Sequence, residues 1–195
     1  EMNKTRTSPL DLSQVDKNVN TDWFDEITRS AVVQDYNVSV SGGSDKLTYI
    51  MGAGYYDEEG TVKGSDYERI TTRLKTDYQV KEYLKIGTNI NIQSNKRSSI
   101  TEGSYHTGVI NTAIKLEPVI PVWINEAEGK YDYSKFTDYP NPVAQIAYDN
   151  YRTEQFRLLG NVFAELEIIK DLKFKSSYGL NRTVTDTYDF DPVYK

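Results

Sequence analysis

Apolar and polar residues alternate with a period of two through six stretches of the chain. Successive side chains of a β-strand point to opposite sides, so this rhythm predicts strands with one greasy and one wet face. The first strand is predicted from about Gln34 to Ser41, with Tyr36, Val38 and Val40 opposed by Asn37 and Ser39. The second carries Leu47, Tyr49, Met51, Ala53 and Tyr55 on its greasy side. The third sets Ile70, Thr72, Leu74, Thr76 and Tyr78 against Arg69, Thr71, Arg73, Lys75 and Asp77. In the fourth, Leu84, Ile86, Thr88, Ile90 and Ile92 oppose Lys85, Gly87, Asn89, Asn91 and Gln93. The fifth, about Gln155 to Ile169, places Leu158, Val162, Ala164, Leu166 and Ile168 opposite Arg157, Asn161, Glu165 and Glu167. The sixth sets Leu172, Phe174, Tyr178 and Leu180 against Lys173, Lys175, Ser177 and Asn181. The fold class expected is all-β, an antiparallel meander of about six long strands.

The connections alternate in length. Gly42-Gly43-Ser44-Asp45, Lys81-Glu82 and Lys170-Asp171 read as short turns, the paired glycines supplying the positive φ that tight hairpins require. Between them lie an acidic loop from Asp57 to Ser65 and a long one in which the alternation fails from about Ser94 to Thr153. A short helix is expected within the latter at about Val109 to Leu116. Residues 1–32 read as a loop or linker segment with a possible helical turn at Trp23, Phe24 and Ile27. The division expected is thus 1–32, followed by a sheet over 33–195 interrupted by a loop at about 98–152. Short turns at one end and long loops at the other are the habit of outer-membrane barrels. Binding loops also cluster at one end of some soluble sandwiches, so the greasy face has two possible neighbours, lipid or a protein core.

Composition narrows the choices. With 29 acidic against 23 basic residues and a formal charge of -6, no global basic field exists to hold a nucleic-acid backbone, and no nucleic-acid partner is expected. Cysteine is absent and His106 is the single histidine, which removes thiolate sites and histidine metal clusters; neither a metal nor another cofactor is expected. No apolar run is long enough for a membrane-spanning helix. A membrane barrel stays open, because its strands turn only half their residues to lipid. The start of the chain shows no signal peptide, so either the protein is cytoplasmic or its beginning has been removed.

Candidate chemistry is sparse. Glu165 and Glu167 share a strand face, and their likeness to the paired carboxylates of glycosidases is one of residue type only. Lys173 and Lys175 stand on the same wet face of the next strand, so cross-strand charge pairing accounts for all four, and no catalytic residue is assigned. Asp57-Glu58-Glu59 reads as a solvated loop rather than a calcium site. The long loop is the better place for binding: Trp123, Tyr131, Tyr133, Phe136 and Tyr139 can stack on sugar rings, meet a partner or pack on one another.

Several passages carry a resemblance. Asn20 to Ile27, Gln34 to Ser44, Gly54 to Gly60, Lys63 to Arg69, Leu84 to Asn89, Asn141 to Ala144 and Gly160-Asn161 together resemble the β-barrel region of the SusC/RagA family of TonB-linked outer-membrane proteins. The resemblance covers most of the chain from about residue 20. It implies part of a large transmembrane barrel of the TonB-dependent transporter type, in the outer membrane of a Gram-negative, Bacteroidota-like cell. It further implies import of oligosaccharides or peptides, a SusD-like surface lipoprotein as partner, and contact with TonB through a plug domain not recognisable here. On this topology Tyr49, Met51, Leu74, Ile86, Ile90, Val162, Leu166 and Phe174 face lipid. Arg69, Arg73, Lys75, Asn89, Asn91, Glu165, Glu167 and Lys173 face the lumen, and the five loop aromatics face substrate or lid. The reading from another class is a soluble β-sandwich that binds carbohydrate through its long loop.

Overall fold

A computed structural model describes residues 16, 18–102 and 107–190. His106 and most of the predicted leading segment lie outside the described residues. Six antiparallel strands form one sheet: β1 is Val33–Gly43, β2 Leu47–Glu59, β3 Asp66–Lys81, β4 Leu84–Ser99, β7 Asn150–Ile169 and β8 Leu172–Phe190. They stand in the order β1-β2-β3-β4-β7-β8, a meander whose continuity is broken only by the long insertion between β4 and β7. That insertion holds α2 (Val109–Lys115), a small hairpin of β5 (Trp123–Asn125) and β6 (Lys130–Tyr131), and α3 (Pro142–Tyr148). A single turn of helix, α1 (Trp23–Ile27), precedes β1.

Local chemistry explains the joints. At the β1–β2 turn the Ser44 hydroxyl accepts from the amides of Lys46 and Leu47. Asp171 turns the chain from β7 into β8 at φ 66, the left-handed region that a short polar side chain tolerates better than most. Asp22 caps α1 by accepting from Phe24 N and Asp25 N. Asn141 caps α3 in the same way, with Pro142 in the first turn where its missing N–H costs nothing.

The strands outrun the sequence pattern at the loop end. Asp57, Glu58 and Glu59 belong to β2, paired with Glu68, Tyr67 and Asp66, so the expected acidic loop shrinks to residues 60–65. Charge alone does not end a strand while its backbone ladder continues. Two of these pairs set carboxylates opposite each other, which is unfavourable in isolation, and Arg29 offsets one by reaching Asp66 and the carbonyl of Gly60. Likewise β4 continues to Ser99 and β7 begins at Asn150, although the alternation fades earlier.

The buried core is not under the sheet. It lies at the loop end, where Trp23 and Ile27 of α1 meet Val109, Ala113, Leu116 and Ile120. Val62 of the 60–65 connection, Phe136, Tyr139, Val143 and Ile146 pack against that cluster. Backbone bonds tie the pieces together: Lys63 N donates to Ile27 O, Arg29 N to Thr61 O, and Thr21 N to Pro118 O. Three segments distant in sequence thus form one cap over the end of the meander. Among the described residues no second sheet covers the large one, since the other sheet is the short β5–β6 hairpin. That is not the architecture of a sandwich, which needs two packed sheets.

Candidate binding faces and loop cap

The pairing register carries the period-two pattern across strand after strand. Val40, Met51, Leu74, Ile90, Gly160 and Leu180 stand side by side in one row from β1 to β8. Near the short turns, Leu84, Leu166 and Phe174 form another. At the loop end the row Tyr36, Tyr55, Ile70, Ser94, Phe156 and Val184 is followed on the same face by Gln34, Asp57, Glu68, Lys96, Glu154 and Asp186. The face therefore changes from mainly apolar to almost wholly charged within one step of two residues. From Leu84 to Ser94 the apolar band runs about 34 Å along the strand. At the usual strand tilt of about 40° its height is about 26 Å, close to the apolar band of an outer-membrane barrel.

Tyr49, Met51, Leu74, Ile86, Ile90, Val162, Leu166 and Phe174 all stand on this apolar face. Arg69, Arg73, Lys75, Asn89, Asn91, Glu165, Glu167 and Lys173 all stand on the opposite one. There Lys173 Nζ lies 3.4 Å from Glu165, and Lys85 Nζ 3.6 Å from Asp77. Phe163, on the same face, lies over Gly87 where any β-carbon would strike its ring, and Lys175 Nζ sits 4.3 Å from that ring's centre. The tyrosines next to the acidic stretch divide between faces. Tyr55 is on the apolar side, whereas Tyr56 and Tyr67 are on the polar side, edge to face at 6.0 Å with Arg69 over Tyr56. Those two rings are therefore not part of an aromatic girdle on the apolar face, because neighbouring positions in a strand must point opposite ways.

The loop aromatics are brought together in part. Trp123 and Tyr131 stack at 3.9 Å across the β5–β6 hairpin, and Tyr148 of α3 meets Tyr131 edge-on at 5.4 Å. Desolvation, and then the neighbouring Tyr148, raises the phenol pKa of both Tyr131 and Tyr133. Phe136 and Tyr139 instead pack onto the cap's core, with Lys115 Nζ 5.5 Å from the Tyr139 ring. Sequence reasoning missed Ile114 and Ile124, which stand 62% and 65% exposed on the cap. Their only signal was an aliphatic residue in a polar stretch, too weak to single out.

An amide network sets the cap's shape. Asn141, fully buried, donates to Val122 O at 2.9 Å and Asp132 O at 3.0 Å while its carbonyl caps α3. Thr112 donates to Gln145 Oε1 at 3.0 Å, and Gln145 Nε2 donates to Thr107 O, joining α2 to α3. Between the cap's edge and the sheet end lies an open groove of about 900 Å³, lined by Glu58, Tyr67, Arg97, Asp149, Tyr151 and Asp189 among others. Among the described residues no cluster of His, Asp and Glu has metal-ligand spacing.

No family model matches the chain. Curated relatives do. TonB-dependent receptor P3 of Formosa agariphila is 27% identical over 182 residues, 89% of this chain and 18% of the relative. TonB-dependent receptor SusC of Bacteroides thetaiotaomicron is 27% identical over 215 residues, 95% of this chain and 21% of the relative. TonB-dependent receptor P26 of Formosa agariphila is 30% identical over 149 residues, 75% of this chain and 14% of the relative. The chain thus spans about a fifth of the length of the relatives it matches. Among solved structures, the RagAB peptide transporter superposes with a TM-score of 0.71 at 23% identity, covering 90% of this chain and 20% of that one. The same importer in its open-open state gives 0.70, also at 23% identity. In sequence this chain is similar to a segment of TonB-dependent receptors such as SusC, and in fold its antiparallel sheet is similar to part of the RagAB transporter.

Proposed function

We propose that the six strands are an arc of barrel wall in a TonB-dependent importer, and that the protein works in transport rather than catalysis. The observation that carries this is the register-continuous apolar face, about 26 Å high, ended by a charged row on the same face. Apolar surface of that extent on a sheet that no second sheet among the described residues covers fits lipid. The opposite face, rich in Arg, Lys and Asn, then lines the lumen, and the capped end with its long insertion looks outward from the cell. Six strands cannot enclose a wide pore, so the full barrel requires further strands pairing with the outer edges of β1 and β8.

The cap is the surface we assign to the solute and to a SusD-like lipoprotein lid. The Trp123–Tyr131 stack offers a broad aromatic platform for a sugar ring or an apolar peptide side chain, and exposed Ile114 and Ile124 suit a protein partner. The solute is an oligosaccharide or a peptide, the protein acts in the outer membrane of a Bacteroidota-like cell, and TonB is engaged by a plug outside these residues. The names of the relatives, all TonB-dependent receptors, support this reading, as does the superposition on a peptide transporter.

Single-cysteine scanning of the full-length protein in its native membrane tests the topology. Asn89→Cys should react with a water-soluble maleimide, and Ile90→Cys, one residue away, should not, because a thiol facing lipid does not ionise. Equal reaction at both would overturn the membrane reading.

A further inference from the structure

One residue breaks the apolar face. Between the row of Tyr36, Tyr55 and Phe156 and the row of Leu84, Leu166 and Phe174, every position on that face among the described residues is uncharged except Arg182. The register fixes its place: Arg182 stands opposite Leu158, with Ile92 next in the same row, and Leu180 and Val184 are its same-face neighbours along β8. It is exposed and forms no ion pair among the described residues. The nearest carboxylates of the charged row are Glu154 and Asp186. Glu154 is held by Arg152 at 3.3 Å, and Asp186 lies four residues along β8, about 13 Å away.

A guanidinium on a face that meets lipid is costly unless its head reaches water or an anion. Depth decides which edge of the apolar band it can reach. The Arg182 row lies two residues below the upper edge, about 7 Å along the strand and about 5 Å in height at a tilt of about 40°. A long arginine stem spans that distance, so the head comes to rest where lipid headgroups begin. The other edge is about 21 Å away, beyond any side chain.

The surface beneath is shaped as well. Gly160 stands one row deeper, diagonal to Arg182, with Leu158 and Val162 along β7 and Ile90 and Leu180 across it. Apart from its chain neighbours, no atom lies within 4 Å of where its β-carbon would be. Four aliphatic side chains thus surround a notch one side chain wide on the same face as Arg182. A cation above an apolar notch matches an amphiphile with an anionic head and an acyl chain, and phosphate accepts two parallel bonds from a guanidinium. A protein carboxylate would satisfy the charge but leave the notch without an occupant.

From this we infer that Arg182 and the Gly160 notch form a seat for a phosphate-bearing lipid of the outward leaflet, the guanidinium gripping the phosphate and an acyl chain lying in the notch. The inference rests on the proposed topology, in which this face meets the bilayer and the capped end looks outward.

Native mass spectrometry of the purified full-length protein in detergent tests it with two probes that share their acyl chains, dioleoyl phosphatidic acid and dioleoylglycerol. Expected is binding of phosphatidic acid that weakens several-fold in Arg182→Gln and is largely kept in Arg182→Lys, while dioleoylglycerol binding is indifferent to both. Gly160→Leu fills the notch and should weaken both probes several-fold. Phosphatidic acid binding unchanged in Arg182→Gln, or both probes unchanged in Gly160→Leu, would overturn the proposal. Arg182→Gln removes a charge from the apolar face, so the barrel is expected to assemble as before. A lower unfolding temperature of that variant in lipid-free detergent would assign Arg182 to a carboxylate of a neighbouring strand, and a changed oligomeric state would assign it to a second copy; either would overturn the lipid seat. The Asn89→Cys and Ile90→Cys pair separates the two failures. If both label alike from water, the topology is wrong; if only Asn89→Cys labels while phosphatidic acid binding ignores Arg182, the lipid seat alone fails.

Discussion

Asn141 donates its side-chain amide to the backbone carbonyl of Val122, 2.9 Å away and nineteen residues earlier in the chain. The same side chain donates to Asp132 O and accepts from two amides of α3, so one buried residue fixes the β5–β6 hairpin against a helix start. Asn141→Ala removes the cap and strands the Asp132 carbonyl, while Val122 O keeps its bond from Asp132 N. Losing the cap costs about 1 kcal/mol, and one orphaned buried carbonyl costs about 1–3 kcal/mol, so a loss of about 2–4 kcal/mol of cap stability is expected. Hydrogen exchange on the full-length protein should show α2 and α3 amides exchanging faster while β3 and β4 amides are unchanged. Uniform acceleration through the sheet would show that the cap and the wall are one cooperative unit.

Depth in the wall sets the cost of a charge on the apolar face. Ile90 and Leu74 stand opposite each other in the middle row, whereas Leu166 lies beside the short turns. Arg at the midplane costs about 2–4 kcal/mol, and about 0–1 kcal/mol near an interface. Ile90→Arg is therefore expected to impair barrel assembly strongly, Leu166→Arg mildly, and Asn89→Arg least, scored by the heat-modifiable mobility of the folded full-length barrel. Equal tolerance at Ile90 and Asn89 would contradict a lipid-facing side.

The cap carries a pH signature. Desolvation and Tyr148 raise the pKa of Tyr131 and Tyr133 above the ordinary tyrosine value of about 10. For a group whose pKa is higher in the folded state, the stability it contributes is fully present below the unfolded value and is lost as pH rises through the folded one. Cap stability is thus expected to be flat up to about pH 10 and to fall above it, with Tyr131→Phe removing part of the fall. Limited proteolysis across an alkaline pH series reads this, and an unchanged alkaline profile in Tyr131→Phe would remove Tyr131 from the account.

The wall was legible in the sequence because a strand's periodicity is local: each of the six strands announces its faces through alternate residues, and antiparallel pairing of neighbours carries that order across the sheet. Strand ends were less legible. Asp57 to Glu59 read as loop because acids are poor strand formers, yet the ladder to β3 holds them extended. Height in the wall was also hidden, since it emerges only from register, which is why Leu166 and Ile90 look equivalent along the chain. The cap was the least legible part. Its core joins Trp23 to Leu116 and Ile120 across some ninety residues, and no local pattern encodes contacts of that separation.

Glu165 and Lys173 decide between a chemical and a structural role for the paired carboxylates. Lys173 Nζ lies 3.4 Å from Glu165, and Glu167 stands directly opposite Lys173 in the ladder. The pair is partly open to solvent, with the lysine side chain 56% exposed, so screening limits its worth to about 0.2–1 kcal/mol. A catalytic carboxylate would behave otherwise, because its loss removes a reacting group rather than one of several surface charges. Glu165→Gln is therefore expected to leave solute uptake by the full-length protein unchanged and to shift barrel stability by less than about 1 kcal/mol. The Glu165→Gln, Lys173→Gln double variant should cost no more than the sum of the two singles, less the coupling that the cycle isolates. Turnover of a glycan that disappears in Glu165→Gln would return these carboxylates to chemistry and remove them from the wall's electrostatics.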